Sequence, residues 1–164
     1  MKLLILSDSH ECIDSMLESV AVENPGAVFH LGDHIQDSFA LRARIPDDVP
    51  LYCVRGNCDY AGEDENLITI LGKKIFYTHG HVYRVKTGLD EIARRGKEVC
   101  ADLVLFGHTH MPYIGKSGKT LLMNPGSCGG RRWTGGAPSR KTYGVVTIDE
   151  KGIQCQIIEA GLSE

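Results

Sequence analysis

The sequence predicts an α/β fold, and two observations lead to that prediction. The first half alternates short apolar runs with segments of helical spacing, in the order strand, helix, strand, helix, strand. That order predicts a parallel sheet with right-handed crossover connections. The second half adds pairs of apolar segments separated by glycine-containing turns, which predict hairpins and therefore antiparallel strands. Strands of both directions are thus expected in one chain.

In the first half, three apolar runs are predicted as strands and the two segments between them as helices. The strands are 3–6, 27–31 and 51–54, and the helices are 12–22 and 37–44. Short continuous apolar runs are typical of strands that are buried on both faces. The Pro25-Gly26 pair ends the first helix, and Pro46 ends the second.

In the second half, three hairpins surround one further helix and one further buried strand. The hairpins are 67–71 with 74–78, 112–123 across Gly115–Gly118, and 142–148 with 153–158, and the helix and strand are 88–97 and 102–106. The most irregular segment is 124–141, which is rich in glycine.

Length and composition predict a single domain over residues 1–164. The formal net charge of −3 gives no general attraction to polyanions, so nucleic acid is not the expected partner. The six scattered cysteines contain no C-x-x-C pair, which argues against a zinc ribbon or a disulfide framework. The apolar run after Lys2 is too short for a signal peptide or a membrane span. We therefore expect a cytoplasmic protein with reduced thiols and no membrane partner.

Side chains that can bind metals follow five of the predicted strands. In chain order they are Asp8 and His10, Asp33, Asn57, His79, and His108 with His110. Functional sites of open α/β sheets form beyond the carboxyl ends of the strands, so we expect these side chains to meet. Oxygen and nitrogen donors without an obligatory thiolate suit Mn, Fe, Zn or Ni. Seven donors suit two ions that share one carboxylate, an arrangement that activates water and clamps a phosphoryl group.

Five short motifs in this order resemble those of the calcineurin-like metallophosphoesterases. They are D-x-H at 8–10, G-D at 32–33, G-N at 56–57, H-G-H at 79–81 and G-H-T-H at 107–110. The length, the cysteine of GNCD and the NPGS at 124–127 are similar to the small bacterial and archaeal YfcE-like phosphodiesterase branch. The resemblance covers nearly the whole chain. It implies a four-layer α/β/β/α sandwich of two mixed β-sheets flanked by helices.

The resemblance also implies a role for each motif residue. Asp8, His10 and His110 would hold a first metal ion, Asn57, His79 and His108 a second, and Asp33 would bridge them. Mn is the metal we expect, with Fe, Zn and Ni as alternatives. A hydroxide held by both ions would attack a phosphate ester, which we expect to be a phosphodiester. Asp37 departs by one residue from the commoner G-D-x-x-D spacing, so its supporting role is open.

Cys58 stands where many relatives carry a histidine that protonates the leaving oxygen. A thiol nucleophile is one interpretation, and a small pocket-lining residue at the place of a missing acid is the other. Because the metal ions already supply a nucleophile, we favour the second. It predicts a preference for good leaving groups, such as those of aryl phosphodiesters.

Substrate contacts are predicted for His81 and for the loop 129–141. Arg131 and Arg132 are predicted to bind substrate phosphate, and Trp133 to stack on a base or aryl group. The alternatives are a structural hydrogen bond for His81, and a solvated loop or an oligomer contact through Trp133. A homo-oligomer is left open.

Three functions fit these observations. The first is a metal-dependent phosphoesterase that hydrolyses a small phosphate ester. The second is a non-catalytic scaffold, as in the retromer subunit that resembles this family, and the intact set of ligand positions argues against it. The third is a nuclease, which the net charge of −3 and the small size disfavour.

Overall fold

The computed structural model describes residues 1–130 and 140–160. Within these ranges the chain forms two mixed five-stranded sheets flanked by three α-helices, which confirms the predicted α/β sandwich. The strands are β1 (Lys2–Leu6), β2 (Ala27–His30), β3 (Leu51–Cys53), β4 (Glu65–Ile70), β5 (Lys73–Thr78), β6 (Leu103–Leu105), β7 (Tyr113–Ser117), β8 (Thr120–Asn124), β9 (Thr142–Asp149) and β10 (Gly152–Glu159). The helices are α1 (Ile13–Glu23), α2 (Ile35–Arg42) and α3 (Asp90–Glu98), and His81–Tyr83 form a 3-10 turn.

The first sheet has the strand order β10-β9-β1-β2-β3. Its strands β1, β2 and β3 are parallel, with Leu3 opposite Ala27 and Val28 opposite Leu51, as the alternating pattern predicts. The predicted C-terminal hairpin is also confirmed, and it pairs antiparallel to β1 through β9. The mixed sheet therefore combines the two halves of the chain.

The second sheet has the strand order β4-β5-β6-β8-β7. Its three inner strands are parallel, and β4 and β7 are antiparallel to their neighbours. The predicted position of the β7–β8 turn is wrong. Ser117 pairs with Thr120, so the turn is Gly118-Lys119 and Gly115 lies inside β7. Gly118 has a φ of 60°, which a two-residue hairpin turn requires and glycine readily adopts.

The core lies in three layers, which explains why the apolar runs are continuous. Leu3 and Ile5 point between the sheets and pack with residues such as Leu103 of the second sheet. Leu4 and Leu6 point the other way and pack with Met16 of α1. The second sheet is covered in the same manner, because Phe76 and Val104 pack with Ile92 of α3. Both faces of the inner strands are thus buried.

The predicted helices are present with shifted ends. The second helix begins at Ile35 rather than residue 37, because the Asp59 carboxylate accepts a hydrogen bond from the Ile35 N–H at 2.9 Å. This cap comes from a distant loop, so local sequence could not indicate it. Among the described residues, none of the helices has the length and apolar character needed to cross a bilayer.

Candidate metal centre

The seven predicted ligand residues all lie in loops that follow strands, and the two sheets bring these loops together. The structure forms two groups of side chains that can each hold a metal ion, with the donor atoms of each group within 4.8 Å of one another. One group is Asp8, His10, Asp33 and His110, and the other is Asp33, His79 and His108. Asp33 belongs to both groups, so its carboxylate lies between them.

In the first group, the two oxygens of the Asp8 carboxylate make different contacts. Oδ2 accepts hydrogen bonds from the Ser7 hydroxyl at 2.6 Å and from the His108 backbone N–H at 3.2 Å. Oδ1 faces the imidazoles and lies 3.0 Å from His110 Nε2. His10 Nε2 is in turn 3.4 Å from His110 Nε2. The protein therefore holds one oxygen and directs the other into the site.

In the second group, a backbone carbonyl sets the tautomer of His79. Its Nδ1 lies 2.7 Å from the Leu31 oxygen, and because a carbonyl can only accept, Nδ1 carries the hydrogen. In the neutral ring Nε2 is then an acceptor. It faces Asn57 Oδ1 at 3.2 Å and Asp33 Oδ1 at 3.4 Å. Three acceptors without a shared proton converge here, which is an arrangement that a cation satisfies.

Backbone strain is concentrated at the same loops. Five of the seven predicted ligand residues have a left-handed backbone, namely Asp8 (φ 54°), His10 (φ 44°), Asp33 (φ 56°), His108 (φ 68°) and His110 (φ 58°). Non-glycine residues seldom adopt this region, and they keep it where the surrounding structure imposes it, which is common at functional sites.

Two glycines allow the ligand loops to approach each other closely. A Cβ at Gly56 would lie 2.1 Å from Asp33 Oδ1, and a Cβ at Gly107 would lie 2.0 Å from Ser7 Oγ. Neither distance is compatible with a side chain. Glycine is therefore required by contact at both positions.

The structure gives Asp37 the supporting role that its sequence spacing left open. Its Oδ2 accepts hydrogen bonds from the Ser9 hydroxyl at 2.7 Å and from the Glu11 N–H at 2.8 Å. Asp37 thereby fixes the loop that carries Asp8 and His10 from the first turn of α2. Sequence reasoning missed Ser9, although its position between two predicted ligands was a usable indication.

His30 extends this network into the core. Because the Ser9 hydroxyl donates to Asp37, His30 Nε2 at 3.0 Å must donate to Ser9 Oγ. Its Nδ1 has no hydrogen-bond partner within the described part of the chain. Burial lowers the pKa of His30 to about 4, so the ring is neutral at neutral pH. His30 is thus a buried core histidine with one of its two ring nitrogens hydrogen-bonded.

Asp59 fixes the loop that carries Asn57 through hydrogen bonds to backbone N–H groups. Asp59 is buried, and its Oδ2 accepts the Gly56 N–H at 2.7 Å while its Oδ1 caps α2. The exposed Cys58 donates its backbone N–H to Asp33 Oδ1 at 3.0 Å, and its sulfur accepts from Asn57 Nδ2 at 3.4 Å. Partial shielding of the sulfur from water, followed by the nearby Asp33 carboxylate, raises the pKa of Cys58 to about 11, which keeps the sulfur a thiol.

The NPGS turn contacts two of the ligand loops. Asn124 Nδ2 donates to the Gly107 oxygen at 2.8 Å, and the Ser127 hydroxyl donates to the Asp8 oxygen at 2.8 Å. These bonds join the end of β8 to the loops after β6 and β1. The turn thus connects the two sheets at the site.

Protonation states in the site favour cation binding. Burial alone would raise the pKa of Asp8, but its hydrogen bond with His110 and its attraction to the protonated forms of His79 and His110 outweigh burial, and the pKa is lowered. Burial lowers the pKa of His10, and burial followed by the His79 charge lowers that of His108 to about 4. A carboxylate and neutral imidazoles are the forms that bind metals.

Of the predicted substrate contacts, His81 lies within the described residues. His81 lies beside the second group, with its ring centroid 5.3 Å from that of His79 and 6.1 Å from that of His108. Its Nε2 is 3.9 Å from Asp64 Oδ1. Arg131, Arg132 and Trp133 lie outside the described residues, so their substrate contacts stay predictions.

The fold and the site define a metal-binding α/β sandwich of the phosphoesterase kind, and comparison with known proteins identifies the family. The model of the calcineurin-like phosphoesterase superfamily domain matches residues 1–151. The chain therefore belongs to this family, as its motifs predicted.

Several relatives carry phosphoesterase names. The probable metallophosphoesterase YsnB of Bacillus subtilis is 39% identical over 129 residues, which cover 77% of this chain and 75% of the relative. The phosphodiesterase YfcE of Escherichia coli is 23% identical over 188 residues, which cover 96% and 97%. The resemblance to the YfcE-like branch is thus confirmed.

Solved structures agree with the fold. A protein of Streptococcus pneumoniae described as a predicted phosphoesterase has a TM-score of 0.76 at 27% identity, covering 96% of this chain and 88% of its own. Vps29 of Entamoeba histolytica has a TM-score of 0.77 at 17% identity, covering 97% and 99%. The likeness to Vps29 shows a shared fold alone.

Proposed function

We propose that this chain is a phosphodiesterase that depends on two divalent metal ions and hydrolyses a small phosphate ester. A single metallophosphoesterase domain over residues 1–164 would carry the activity. The observation that most supports this proposal is the Asp33 carboxylate, which belongs to both donor groups. Manganese is the metal we propose, with iron, zinc and nickel as alternatives that suit the same donors.

The proposed ligands follow the two groups. Asp8, His10 and His110 would hold one ion, Asn57, His79 and His108 the other, and Asp33 both. When bound, the two ions would activate the attacking water and offset the charge of the phosphoryl group.

The protein's own residues orient these ligands. The Leu31 carbonyl directs the lone pair of His79 Nε2 into the site, and the amide of Asn57 is turned so that its Oδ1 faces the same point. The Asn57 Nδ2 contact with the Cys58 sulfur supports that orientation. Asp37 and Asp59 hold two of the ligand loops through backbone N–H groups, so the site is organised before an ion binds.

No thiolate nucleophile is included in the proposed mechanism. Cys58 is a thiol, and a thiol is a weak hydrogen-bond donor that gives little help to a departing alkoxide. Aryl phosphodiesters, whose leaving groups need no proton, are therefore the proposed preferred class. His81 and, outside the described residues, Arg131 and Arg132 are the proposed substrate contacts.

Hydrolysis of bis(p-nitrophenyl) phosphate by the purified protein with Mn²⁺ tests this function. We expect turnover that a chelator abolishes and that Asp33→Asn reduces by at least about a hundredfold, since both donor groups lose a charged ligand. Asp14→Asn, at an exposed position of α1, is the matched control and should keep full activity. Absence of turnover with every divalent metal would favour the scaffold interpretation instead.

A further inference from the structure

An apolar groove of about 440 Å³ lies beside the loop that carries His108 and His110. Its volume is within the range of roughly 300–1,000 Å³ that is typical of small-molecule sites. The apolar part of its wall is formed by Val85, Leu89, Phe106, Met111, Pro112 and Tyr113, and Lys86 and Thr109 complete it.

The groove adjoins the two loops that carry His79 and His108. Phe106 and Thr109 are separated from His108 by at most one residue, and both line the groove. Val85 packs against Gly80, the residue after His79, so closely that a Cβ there would lie 3.0 Å from a Val85 methyl carbon. A molecule in the groove would therefore lie beside the loops that carry two residues of the second donor group.

The exposed apolar side chains of the groove lie over a buried aromatic ring. Phe106 is only 1% exposed and forms the floor, whereas Met111 is 57% exposed and Tyr113 is 40% exposed. The Tyr113 ring lies across Gly115, where a Cβ would be 2.1 Å from the phenol oxygen. Tyr113 also packs on Phe106, with ring centroids 6.3 Å apart. An exposed aromatic ring that is held in place beside a charged site is typical of a ligand contact.

The polar atoms of the groove offer little to a polar ligand. The Thr109 hydroxyl donates to the Met111 oxygen at 3.3 Å and accepts from the Met111 N–H at 3.2 Å and Asn124 Nδ2 at 3.0 Å. Its hydrogen-bonding capacity is used within the protein. Lys86 is the one cationic side chain among the described residues that line the groove.

We propose that this groove binds an uncharged aromatic ester group of a substrate whose phosphoryl group occupies the candidate metal centre. The flat face of Tyr113 and the thioether of Met111 both interact favourably with an aromatic ring. This inference rests on the proposed function, because it assigns the substrate class of the same site. It predicts that binding in the groove favours aryl esters, separately from the ease with which an aryl group leaves.

Calorimetric binding of phenylphosphonate and methylphosphonate to the Mn²⁺-loaded protein tests the groove without any hydrolysis. Both probes carry the same anionic group, and they differ in the group that the groove would receive. We expect phenylphosphonate to bind at least about tenfold more tightly, because the ring buries more apolar surface. Met111→Ala and Tyr113→Ala should each reduce that ratio at least threefold and leave methylphosphonate binding unchanged.

Ile114→Ala is the matched control. Ile114 is 42% exposed, lies next to Tyr113 on β7 and does not line the groove, so its removal should leave the ratio as it is. Equal affinity for the two probes, or an equal effect of all three substitutions, would overturn the proposal. So would a sedimentation experiment in which the chain is a dimer that Met111→Ala dissociates, since a second copy would then occupy the groove. If the protein hydrolyses phosphodiesters but binds the two phosphonates equally well, the proposed role of the groove is wrong and the proposed phosphodiesterase activity stands.

Discussion

The Asp33 carboxylate is enclosed by three neighbouring groups, so its position is closely defined. Its Oδ1 accepts the Cys58 N–H and lies 3.4 Å from His79 Nε2, and the backbone of Gly56 closes the remaining side. Small displacements of this carboxylate would disturb both donor groups together. The contact with Gly56 therefore has a functional consequence that can be measured.

Gly56→Ala is predicted to weaken metal binding by about 10–100-fold, since a methyl group 2.1 Å from Asp33 Oδ1 must displace the carboxylate. Overpacking of this kind also lowers the free energy of unfolding by about 1–3 kcal/mol. Gly88→Ala is the control, because a methyl group at that position would meet nothing within 4 Å. Calorimetric titration with Mn²⁺ measures the effect, and equal affinities for the two variants would show that Gly56 is not needed for close approach.

Cys58→His is predicted to raise turnover on dialkyl phosphates, which have poor leaving groups, by at least about tenfold. An imidazolium can protonate the departing oxygen, and general acids contribute about 10²–10⁴-fold when well placed. Turnover on bis(p-nitrophenyl) phosphate should change much less, because its leaving group needs no proton. A metal-loaded variant that gains nothing on any poor leaving group would contradict the idea that an acid is missing at this position.

Helix α2 supports the site through its first turn. Asp37 reaches from this helix to the loop after β1, and Asp59 reaches from the loop after β3 to the start of the helix. One short helix thus couples two ligand loops that are far apart in sequence. Its contribution to the site comes from these contacts, since few of its residues belong to the core.

Asp37→Ala is predicted to weaken the first donor group more than the second. Removal of the carboxylate leaves the Ser9 hydroxyl and the Glu11 N–H without their acceptor, so the loop holding Asp8 and His10 loses its position. We expect one of two Mn²⁺ affinities to fall about 10–100-fold. Asp14→Ala, at an exposed position, should leave both affinities unchanged. An equal loss at both sites would indicate general destabilisation rather than positioning.

Sequence patterns predicted the elements that depend on local order and missed those that depend on distant contacts. The run of β1 and the polar residues after it were predictable, because burial on both faces and the end of a parallel strand leave a local pattern. The start of α2 and the role of Asp37 were not, since both depend on partners from other loops. The predicted β7–β8 turn was misplaced, because Gly115 lies in the strand and leaves space for the Tyr113 ring.

The two-sheet architecture places a neutral histidine at the inner end of the network that supports the site. His30 ends β2, is fully buried, and has a pKa near 4 instead of 6.5. In the unfolded chain His30 therefore takes up a proton below about pH 6.5, whereas in the folded chain it does so only below about pH 4. The contribution of His30 to stability is therefore full above about pH 6.5 and declines as the pH falls towards about pH 4.

The contribution of His30 to this decline is predicted to be about 2 kcal/mol between pH 7.5 and pH 5.0. Urea unfolding of the metal-free protein at the two pH values measures it. His30→Leu should be less stable at pH 7.5, having lost the Ser9 bond, but its decline on acidification should be smaller than that of the wild type by about that amount. Identical declines would show that His30 does not carry this pH dependence.

Two metal ions joined by Asp33 are proposed to make this fold an enzyme. Titration of the metal-free protein with Mn²⁺, followed by bound metal and by hydrolysis of bis(p-nitrophenyl) phosphate together, tests this proposal most directly. The proposed site predicts two bound ions per chain and turnover that appears only as the second ion binds. Full turnover with a single bound ion, or two bound ions without turnover on any phosphodiester, would contradict it.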